Sequence, residues 1–364
     1  MNQPVHGPHA HSNASLSALM FQVILALTPA TLYSFWLYGW PAFNLWVVCV
    51  GSALFWEALF LKMFGKAIFQ HLRDGSALVT AWILALCLPP WAPWWLAFLG
   101  SFLAIAMIKQ IFGGLGQNVF NPAMAARVML LIAFPVEMTT WISPQAVTSA
   151  QPDFATSLAI TLGQAPQAID AYSGATFLDT VKNQLGQGKL LSDLLINQDY
   201  SLGATFQGMH SGSFGESSAL LLLLGGLFLL WRRVISWQAP LGVLLGAGVP
   251  AALAHFFHPE VYPGAAFHLL TGGVILAAFF IVTDPVTAPT TARGRLLFGL
   301  GCGLLAWLIR TFGNYPEGIA FAVMLMNSAV PVIDRYIKPR IYGRTRKGDP
   351  LPTRPASNKS GGEV

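Results

Sequence analysis

The chain reads Ser76-Ala-Leu-Val-Thr-Ala-Trp-Ile-Leu-Ala-Leu-Cys-Leu88 in its first half and His268-Leu-Leu-Thr-Gly-Gly-Val-Ile-Leu-Ala-Ala-Phe-Phe-Ile281 in its second half. In this comparison Thr80 matches Thr271, and a proline follows each stretch within a few residues. Both stretches are apolar and short for a membrane-spanning helix, and proline cannot continue a helix. The pair therefore predicts two related units, each containing a short or interrupted membrane helix.

A second pair of similar segments lies further along each half. The first half contains Lys109-Gln-Ile-Phe-Gly-Gly114 and the second contains Arg310-Thr-Phe-Gly-Asn314, and an apolar run follows each. If each unit has five helices, the second is inverted, because an odd number of crossings leaves the chain on the other side of the membrane. Short or broken helices at matching positions of such repeats mark a binding site near the membrane midplane. Chance similarity between apolar segments is the alternative.

The composition is that of an integral membrane protein. Hydrophobic residues make up 54% of the 364 residues and charged residues only 10%, with 25 Phe and 12 Trp. No cleavable signal peptide is visible, so the first apolar run is expected to stay in the membrane. We predict an all-α polytopic membrane protein with about ten transmembrane helices, near 18–38, 42–63, 76–90, 93–112, 121–136, 217–231, 239–256, 264–283, 295–312 and 317–334.

The distribution of lysine and arginine predicts the orientation. With both termini in the cytoplasm, most of the 20 basic residues fall inside, in the C-terminal tail and in loops to which Lys109 is also assigned. The polar segment between the two predicted repeats then lies outside the cytoplasm. The predicted divisions are a cytoplasmic tail at 1–17, a first five-helix repeat at 18–136, an extracytoplasmic domain at 137–216, a second repeat at 217–334 and a basic cytoplasmic tail at 335–364.

The polar segment contains Asp170-Ala-Tyr-Ser-Gly-Ala-Thr176. This D-x-x-S-G-A-T pattern resembles the acceptor site at which bacterial flavin transferases attach FMN to threonine through a phosphoester. The resemblance implies covalent FMN on Thr176, with a recognition motif formed by Asp170, Ser173, Gly174 and Ala175. A second segment, Asp199 to Thr205, has Leu202 in place of the motif serine and ranks lower. The alternative is an ordinary polar turn, since Ser, Gly and Asp are common in turns.

Two polar interruptions break the apolar runs at related places. The first is Gly113-Gly-Leu-Gly-Gln-Asn-Val-Phe-Asn-Pro122, and the second is Thr283-Asp-Pro-Val-Thr-Ala-Pro-Thr290. Backbone without helical hydrogen bonds at membrane depth must line a cavity or be buried in protein. The carboxamides of Asn118 and Asn121 offer paired donors and acceptors to a flat ring with an imide edge. Helix capping by Asn, Thr and Asp is the alternative.

Ionisable residues within the predicted spans are the remaining candidates. Glu57 is a candidate for an ion path, whereas Arg127 is expected to be a buried partner that fixes helix packing. The three cysteines are scattered through the spans without a C-x-x-C pair, so we predict apolar packing for them and no metal site. The net charge of +5 comes from the cytoplasmic flanks and does not indicate nucleic-acid binding.

Four segments together resemble the RnfD/NqrB family of membrane subunits. They are GGLGQNVFNPA at 113–123, FPVEMTTW at 134–141, SGAT at 173–176 and TDPVTAPTT at 283–291, and the similarity runs from the first span to Gly343. The family's fold is similar to that of urea channels, with two inverted five-helix repeats. The short N-terminus before the first span is more similar to the RnfD type than to the NqrB type.

The resemblance implies a subunit of an ion-translocating ferredoxin:NAD⁺ oxidoreductase (Rnf) complex in the bacterial inner membrane, with 137–216 in the periplasm. Thr80, Asn118 and Asn121 correspond to positions that line a non-covalent riboflavin site in NqrB-like relatives, and Asp284 is expected in the same cavity. The implied partners are the membrane and iron–sulfur or flavin subunits of the complex, with a flavin transferase for maturation.

Other functions remain open at this point. The chain could be an NqrB-like subunit of a sodium-pumping NADH:quinone reductase, or a scaffold whose neighbours hold every cofactor. A flavin-free channel or transporter for a small polar solute would use the asparagines as pore lining. The sequence does not decide whether Na⁺ or H⁺ is moved, or which subunit contains the ion path.

Overall fold

The fold is mostly helical. A computed structural model describes residues 15–142, 144, 152–164, 173–174, 177–187, 203, 206, 208, 212–216, 218–315 and 317–339. Its helices are α1 (Leu16–Tyr38), α2 (Trp40–Met63), α3 (Ile68–Leu72), α4 (Ser76–Cys87), α5 (Trp94–Phe102), α6 (Pro122–Ala133), α7 (Pro135–Thr139), α8 (Phe154–Thr161), α9 (Phe177–Gly186), α10 (Ala219–Trp231), α11 (Gln238–Phe257), α12 (Ala265–Leu270), α13 (Val274–Leu276), α14 (Ala292–Phe312) and α15 (Ile319–Tyr336). Two π-helices (Leu103–Gln110 and Ala277–Ile281), a 3₁₀ turn (Phe214–Glu216) and strands β1 (Trp141–Ile142) and β2 (Ser173–Gly174) complete the described elements.

Five of these helices, α1, α2, α11, α14 and α15, are long and apolar enough to cross a membrane. Shorter apolar helices lie at Ser76–Cys87, Trp94–Gln110, Pro122–Ala133 and Ala219–Trp231. The predicted class, a helical multi-pass membrane protein, is therefore supported. The division into ten spans arranged as two inverted repeats stays a prediction.

Side-chain caps begin five of the described helices. At the start of α1, α6, α8, α10 and α14, the cap side chain accepts a hydrogen bond from the backbone N–H three residues later; the caps are Ser15, Asn121, Asp153, Ser218 and Thr291. A cap of this kind satisfies one of the backbone donors that the first turn of a helix leaves unpaired. Capping, the alternative considered for the asparagines, is thus one role of Asn121.

The short helix α4 and the second π-helix are almost completely buried. Ten of the 12 residues of α4 are buried, and α4 packs against α1, α2, α5 and α6. All five residues of the second π-helix are buried as well. A helix that is apolar on every side is stable only when it is surrounded by protein or lipid, and for α4 the neighbouring helices provide most of these surroundings.

The predicted span at 264–283 is not one helix. It is interrupted between Leu270 and Val274, where Thr271 has extended backbone angles and Gly272 has a φ of 68°. The predicted span at 93–112 also changes form, because its second part is a π-helix. Hydropathy does not distinguish an α-helix from a π-helix, whereas π-helical turns are frequent at functional sites.

Glycines allow two of the long helices to pack closely. Gly242 and Gly246 of α11 face Gly299 and Gly303 of α14, and a Cβ added at any of the four would overlap the backbone of the other helix. Small residues spaced four apart are the usual means by which membrane helices approach each other. This contact is therefore sensitive to any side chain larger than hydrogen.

Candidate functional site

A partly open cavity of about 160 Å³ brings the predicted flavin-binding residues together. Thr80, Asn118, Asn121 and Asp284 all line it, although they come from both halves of the chain. Most of the remaining wall is apolar and includes Met20, Val23, Ile83, Phe279 and Phe280. An apolar cavity with a few converging polar groups is typical of a small-molecule site.

The loop before α6 positions Asn118. Gly113, Gly114 and Gly116 have φ values of 118°, 104° and 91°, a region that residues with a Cβ rarely adopt. The Asn118 side chain is 7% exposed and donates through Nδ2 to the Phe120 carbonyl at 3.1 Å. Among the described residues its Oδ1 has no partner. A buried acceptor without a donor costs about 1–3 kcal/mol, so a ligand N–H would satisfy it.

Asn121 has two structural contacts in addition to its place in the cavity wall. Its Oδ1 accepts from the Met124 N–H at 3.2 Å as the cap of α6, and its own backbone N–H donates to Asn327 Oδ1 at 3.2 Å. No described residue accepts a hydrogen bond from Asn121 Nδ2. That NH₂ group is the part of the side chain available to a ligand.

Asn327 supports the cavity and was not predicted from the sequence. It is 1% exposed on α15, and its Nδ2 donates to the Thr287 carbonyl at 3.1 Å while its Oδ1 accepts from Asn121. One amide thus joins the loop before α6 to the loop after the second π-helix. A polar residue inside an apolar span was the available signal, because such residues face the protein interior.

Asp284 holds the second loop in shape. Its carboxylate accepts from the Val286 N–H at 3.2 Å and from the Thr287 hydroxyl at 2.9 Å. Desolvation raises the pKa of the Asp284 carboxyl above its usual range, and the hydrogen bonds from Thr287 and Val286 oppose that shift. Asp284 therefore organises the turn as well as lining the cavity.

The polar groups that remain suit one edge of a flat heterocycle. The Thr80 hydroxyl has no hydrogen-bond partner among the described residues, which leaves a donor or acceptor at the cavity. Together with the acceptor Asn118 Oδ1 and the donor Asn121 Nδ2, it gives the cavity both hydrogen-bond donors and acceptors. The imide edge of an isoalloxazine ring carries an N–H between two carbonyl groups, and Phe279 and Phe280 could pack against its apolar part. These polar groups match the imide edge of a flavin ring, and a flavin in this cavity stays a prediction.

A buried ion pair adjoins this cavity. Lys109 Nζ lies 2.8 Å from Glu57 Oε1 and 2.8 Å from Ser76 Oγ, and both side chains of the ion pair are 2% exposed. Lys109 was assigned to a cytoplasmic loop from the sequence, and this was wrong, because it lies in the first π-helix and is buried. The charge of Glu57 attracts it into the protein, and the carboxylate offsets part of the cost of burying the ammonium group. A role for Glu57 in ion movement stays a prediction.

A second ion-pair cluster lies at the interruption between α12 and α13. Glu317 pairs with Arg127 of α6, lies 4.0 Å from the nearest guanidinium nitrogen of Arg310 and accepts from the Gly273 N–H at 2.5 Å. Arg310 also donates to the His268 carbonyl at 2.8 Å. The expectation that Arg127 is a buried partner fixing helix packing is confirmed. Glu317 thereby links the first half of the chain to the second.

The predicted flavinylation motif is described only in part. Ser173 and Gly174 form β2, which pairs antiparallel with Trp141 and Ile142 of β1. Asp170, Ala175 and Thr176 lie outside the described residues, as do Leu202 and Thr205 of the second segment. Helix α9 begins at Phe177, directly after Thr176 in the sequence.

Helix α9 is fixed to the membrane helices by its central residues. Lys182 Nζ donates to the carbonyl groups of Gly313 and Tyr315, which follow α14. Val181, 2% exposed, packs with Phe267 of α12 in a separate apolar cluster. Helix α9, which follows the motif in sequence, is therefore held both by hydrogen bonds from Lys182 and by apolar packing of Val181.

These features define a multi-pass helical membrane protein with a mixed polar and apolar cavity between its two halves. The chain belongs to the NQR2, RnfD, RnfE family, whose model matches residues 4–343. The resemblance to the RnfD/NqrB family noted in the sequence is thereby confirmed.

Individual relatives are similar over nearly the whole chain. A protein of Halorhodospira halophila (strain DSM 244 / SL1), named as the D subunit of an ion-translocating oxidoreductase complex, is 49% identical over 355 residues, covering 97% of this chain and 99% of the relative. A protein of the same name from Stutzerimonas stutzeri is 50% identical over 339 residues, covering 93% and 95%. Another from Escherichia coli (strain SE11) is 42% identical over 351 residues, covering 94% and 98%.

Proposed function

We propose that this chain is the flavin-carrying membrane subunit of an Rnf-type ion-translocating oxidoreductase complex. One observation carries the proposal: the D-x-x-S-G-A-T motif ending at Thr176 occurs in a chain whose relatives are named as the D subunits of ion-translocating oxidoreductase complexes. In this function the subunit relays electrons through FMN held on Thr176 by a phosphoester. Flavins accept and release electrons, and the protein supplies binding, orientation and electrostatics.

The surroundings of the motif support attachment of a phosphate. Thr176 immediately precedes α9 in sequence, and the first turn of a helix has unpaired backbone N–H groups that favour negative charge. Lys182 and Val181 anchor the same helix to the membrane helices. The flavin would therefore be tied to an element of fixed position. Attachment requires a flavin transferase, because a threonine hydroxyl does not form a phosphoester unaided.

The cavity between the two halves is the proposed site of a second, non-covalent flavin, riboflavin. Thr80, Asn118 and Asn121 would bind the polar edge of its ring, and Asp284 would keep the opposite loop in place. The buried, unpaired Oδ1 of Asn118 supports a ligand that donates an N–H. The volume of about 160 Å³ is similar to that of cavities that admit a single aromatic ring, so part of a flavin would occupy the open mouth.

The proposal extends to the complex and its membrane. Electrons would pass between ferredoxin and NAD⁺ with the help of other membrane and iron–sulfur or flavin subunits. The subunit would lie in the bacterial inner membrane as two inverted five-helix repeats, with both termini in the cytoplasm and 137–216 in the periplasm. Glu57 remains the candidate for an ion path within this chain. Transport by reconstituted vesicles with and without sodium distinguishes Na⁺ from H⁺.

Covalent flavin is tested by fluorescence of the chain on a denaturing gel. Wild-type protein from cells that contain the flavin transferase is expected to show yellow fluorescence that resists acid. Thr176→Ala should abolish it, whereas the control Thr205→Ala should retain it. A fluorescent Thr176→Ala chain would contradict the assignment of the residue, and a dark wild-type chain would favour a flavin-free channel or scaffold.

A further inference from the structure

Lys109 is the only basic residue among the described residues that line the cavity, and Asp284 is the only acidic one. Lys109 belongs to the first π-helix, and the residue is almost completely buried. An ammonium group in this position acts through a medium of low polarity, where Coulomb interactions are several times stronger than in water. Its charge therefore affects any ligand in the cavity whose own charge changes.

The contacts of Lys109 fix the ammonium group at the cavity wall. Nζ donates to Glu57 Oε1 and to Ser76 Oγ, both at 2.8 Å, and the Ser76 hydroxyl in turn donates to Asp74 Oδ1 at 2.6 Å. Ser76 lines the cavity together with Lys109, whereas Glu57 and Asp74 do not. The cation is thus nearer to a bound ligand than the carboxylates that balance it.

A purely structural role does not account for this pair. Buried ion pairs can often be replaced by apolar residues without loss of stability, so packing alone does not require one here. Glu57 Oε2 also has no hydrogen-bond partner among the described residues. A pair held mainly for stability would be expected to satisfy both carboxylate oxygens.

We propose that Lys109 raises the reduction potential of a flavin bound in the cavity, an inference that rests on the riboflavin site proposed above. One electron from a reduced flavin or iron–sulfur centre of a neighbouring subunit adds one negative charge to the ring, and that centre is oxidised. No bond forms or breaks in this transfer. Lys109 stabilises the added charge, and Glu57 reduces the effect from its more distant position. Lys109 thus acts on the flavin through its charge, by setting the reduction potential.

The experiment measures the midpoint potential of the releasable flavin in full-length chain purified in detergent. All variants carry Thr176→Ala, so that covalent FMN does not contribute to the titration. The double variant Lys109→Gln/Glu57→Gln removes both charges without leaving either one buried alone. It is expected to lower the equilibrium constant for one-electron reduction at least tenfold, which corresponds to 59 mV. Glu57→Gln alone should shift the potential upward, because Lys109 is then unopposed.

Two further variants serve as controls. Lys109→Arg keeps the charge, so its flavin is expected to have the same midpoint potential as in the parent chain. Lys62→Gln removes an exposed cation from α2 and is also expected to have no effect, because water screens it. If the double variant does not fold, the apolar double variant Lys109→Met/Glu57→Leu replaces it, and an unchanged midpoint potential in that variant overturns the proposal.

The outcomes separate this inference from the riboflavin site itself. If every variant releases flavin and all variants have the same midpoint potential, Lys109 does not set that potential, and the proposed riboflavin site stands. A parent chain that releases no flavin after acid extraction overturns both. Potentials that fall in the double variant and rise in Glu57→Gln support both.

Discussion

The backbone N–H of Asn121 donates to the side-chain carbonyl of Asn327 at 3.2 Å, across a sequence separation of 206 residues. The same Asn327 side chain donates to the Thr287 carbonyl. The two loops that border the cavity are therefore joined through one buried amide. This connection makes the geometry of the proposed flavin site depend on a residue of the last described helix.

We expect Asn327→Leu to destabilise the protein and weaken the retention of releasable flavin. The change leaves the Asn121 N–H and the Thr287 carbonyl without their partner, and each buried unpaired group costs about 1–3 kcal/mol. Thermal unfolding in detergent and flavin content after purification measure the two effects. The neighbouring exposed Ser328→Ala is the matched control and should change neither. Equal stability of the two variants would contradict the bridging role.

Substitutions of the cavity asparagines should separate ligand binding from helix capping. Asn121→Ser keeps an oxygen for the cap of α6 but removes the NH₂ group, whereas Asn121→Leu removes both. Losing one hydrogen bond of about 1–3 kcal/mol weakens flavin binding roughly ten- to hundredfold. Both variants should lose releasable flavin and keep the covalent flavin, but only Asn121→Leu should also lose stability, by about 0.5–2 kcal/mol.

Asn118→Leu provides an independent measure of the same site. It removes the acceptor that has no partner among the described residues, so the folded chain should lose ligand affinity. It also removes the hydrogen bond from Asn118 Nδ2 to the Phe120 carbonyl, so a modest loss of stability should accompany the loss of affinity. The measurement is the amount of riboflavin that acid releases from purified chain. Full retention of riboflavin in both Asn118→Leu and Asn121→Ser would exclude this cavity as the site.

The glycine contact between α11 and α14 should not tolerate a side chain. Gly303→Val would place atoms into the Val243 carbonyl of the facing helix, so we expect the helices to separate and the unfolding temperature to fall. Gly51→Ala is the control, because an added Cβ there meets no atom within 4 Å. That change should be neutral or stabilising, since alanine favours a helix by about 1 kcal/mol over glycine. A tolerated Gly303→Val would contradict the close approach.

Glu317 is expected to be sensitive to substitution. Glu317→Gln removes the carboxylate that Arg127 and Arg310 share, and loss of one partner from a buried pair costs about 3–5 kcal/mol. The exposed Glu260→Gln should cost almost nothing. Unfolding of the two variants in detergent compares them directly, and a similar midpoint for both would show that the cluster is not a structural link.

The residues of the candidate cavity could be predicted from the sequence better than their contacts. Polar groups near broken apolar helices must be buried in protein or line a cavity when they lie at membrane depth. This rule selects Thr80, Asn118, Asn121 and Asp284. The structure places all four around one cavity. Whether that cavity binds riboflavin stays a prediction, and so does FMN at Thr176.

The partners of these residues could not be predicted, because they depend on tertiary packing between distant segments. Lys109 and Glu57 are 52 residues apart, and Arg127 and Glu317 are 190 apart. Basic residues near a helix end usually belong to a loop, which is why Lys109 was misassigned. The interruption of the helix at Gly272 and the π-helices also depend on the surroundings rather than on hydropathy.

Covalent FMN on this chain can be measured from the intact mass of the full-length protein purified from its own membranes. We predict a mass greater than that of the polypeptide by one FMN less one water, and the loss of this added mass in Thr176→Ala. An unmodified mass in wild-type chain from cells with an active flavin transferase would contradict it.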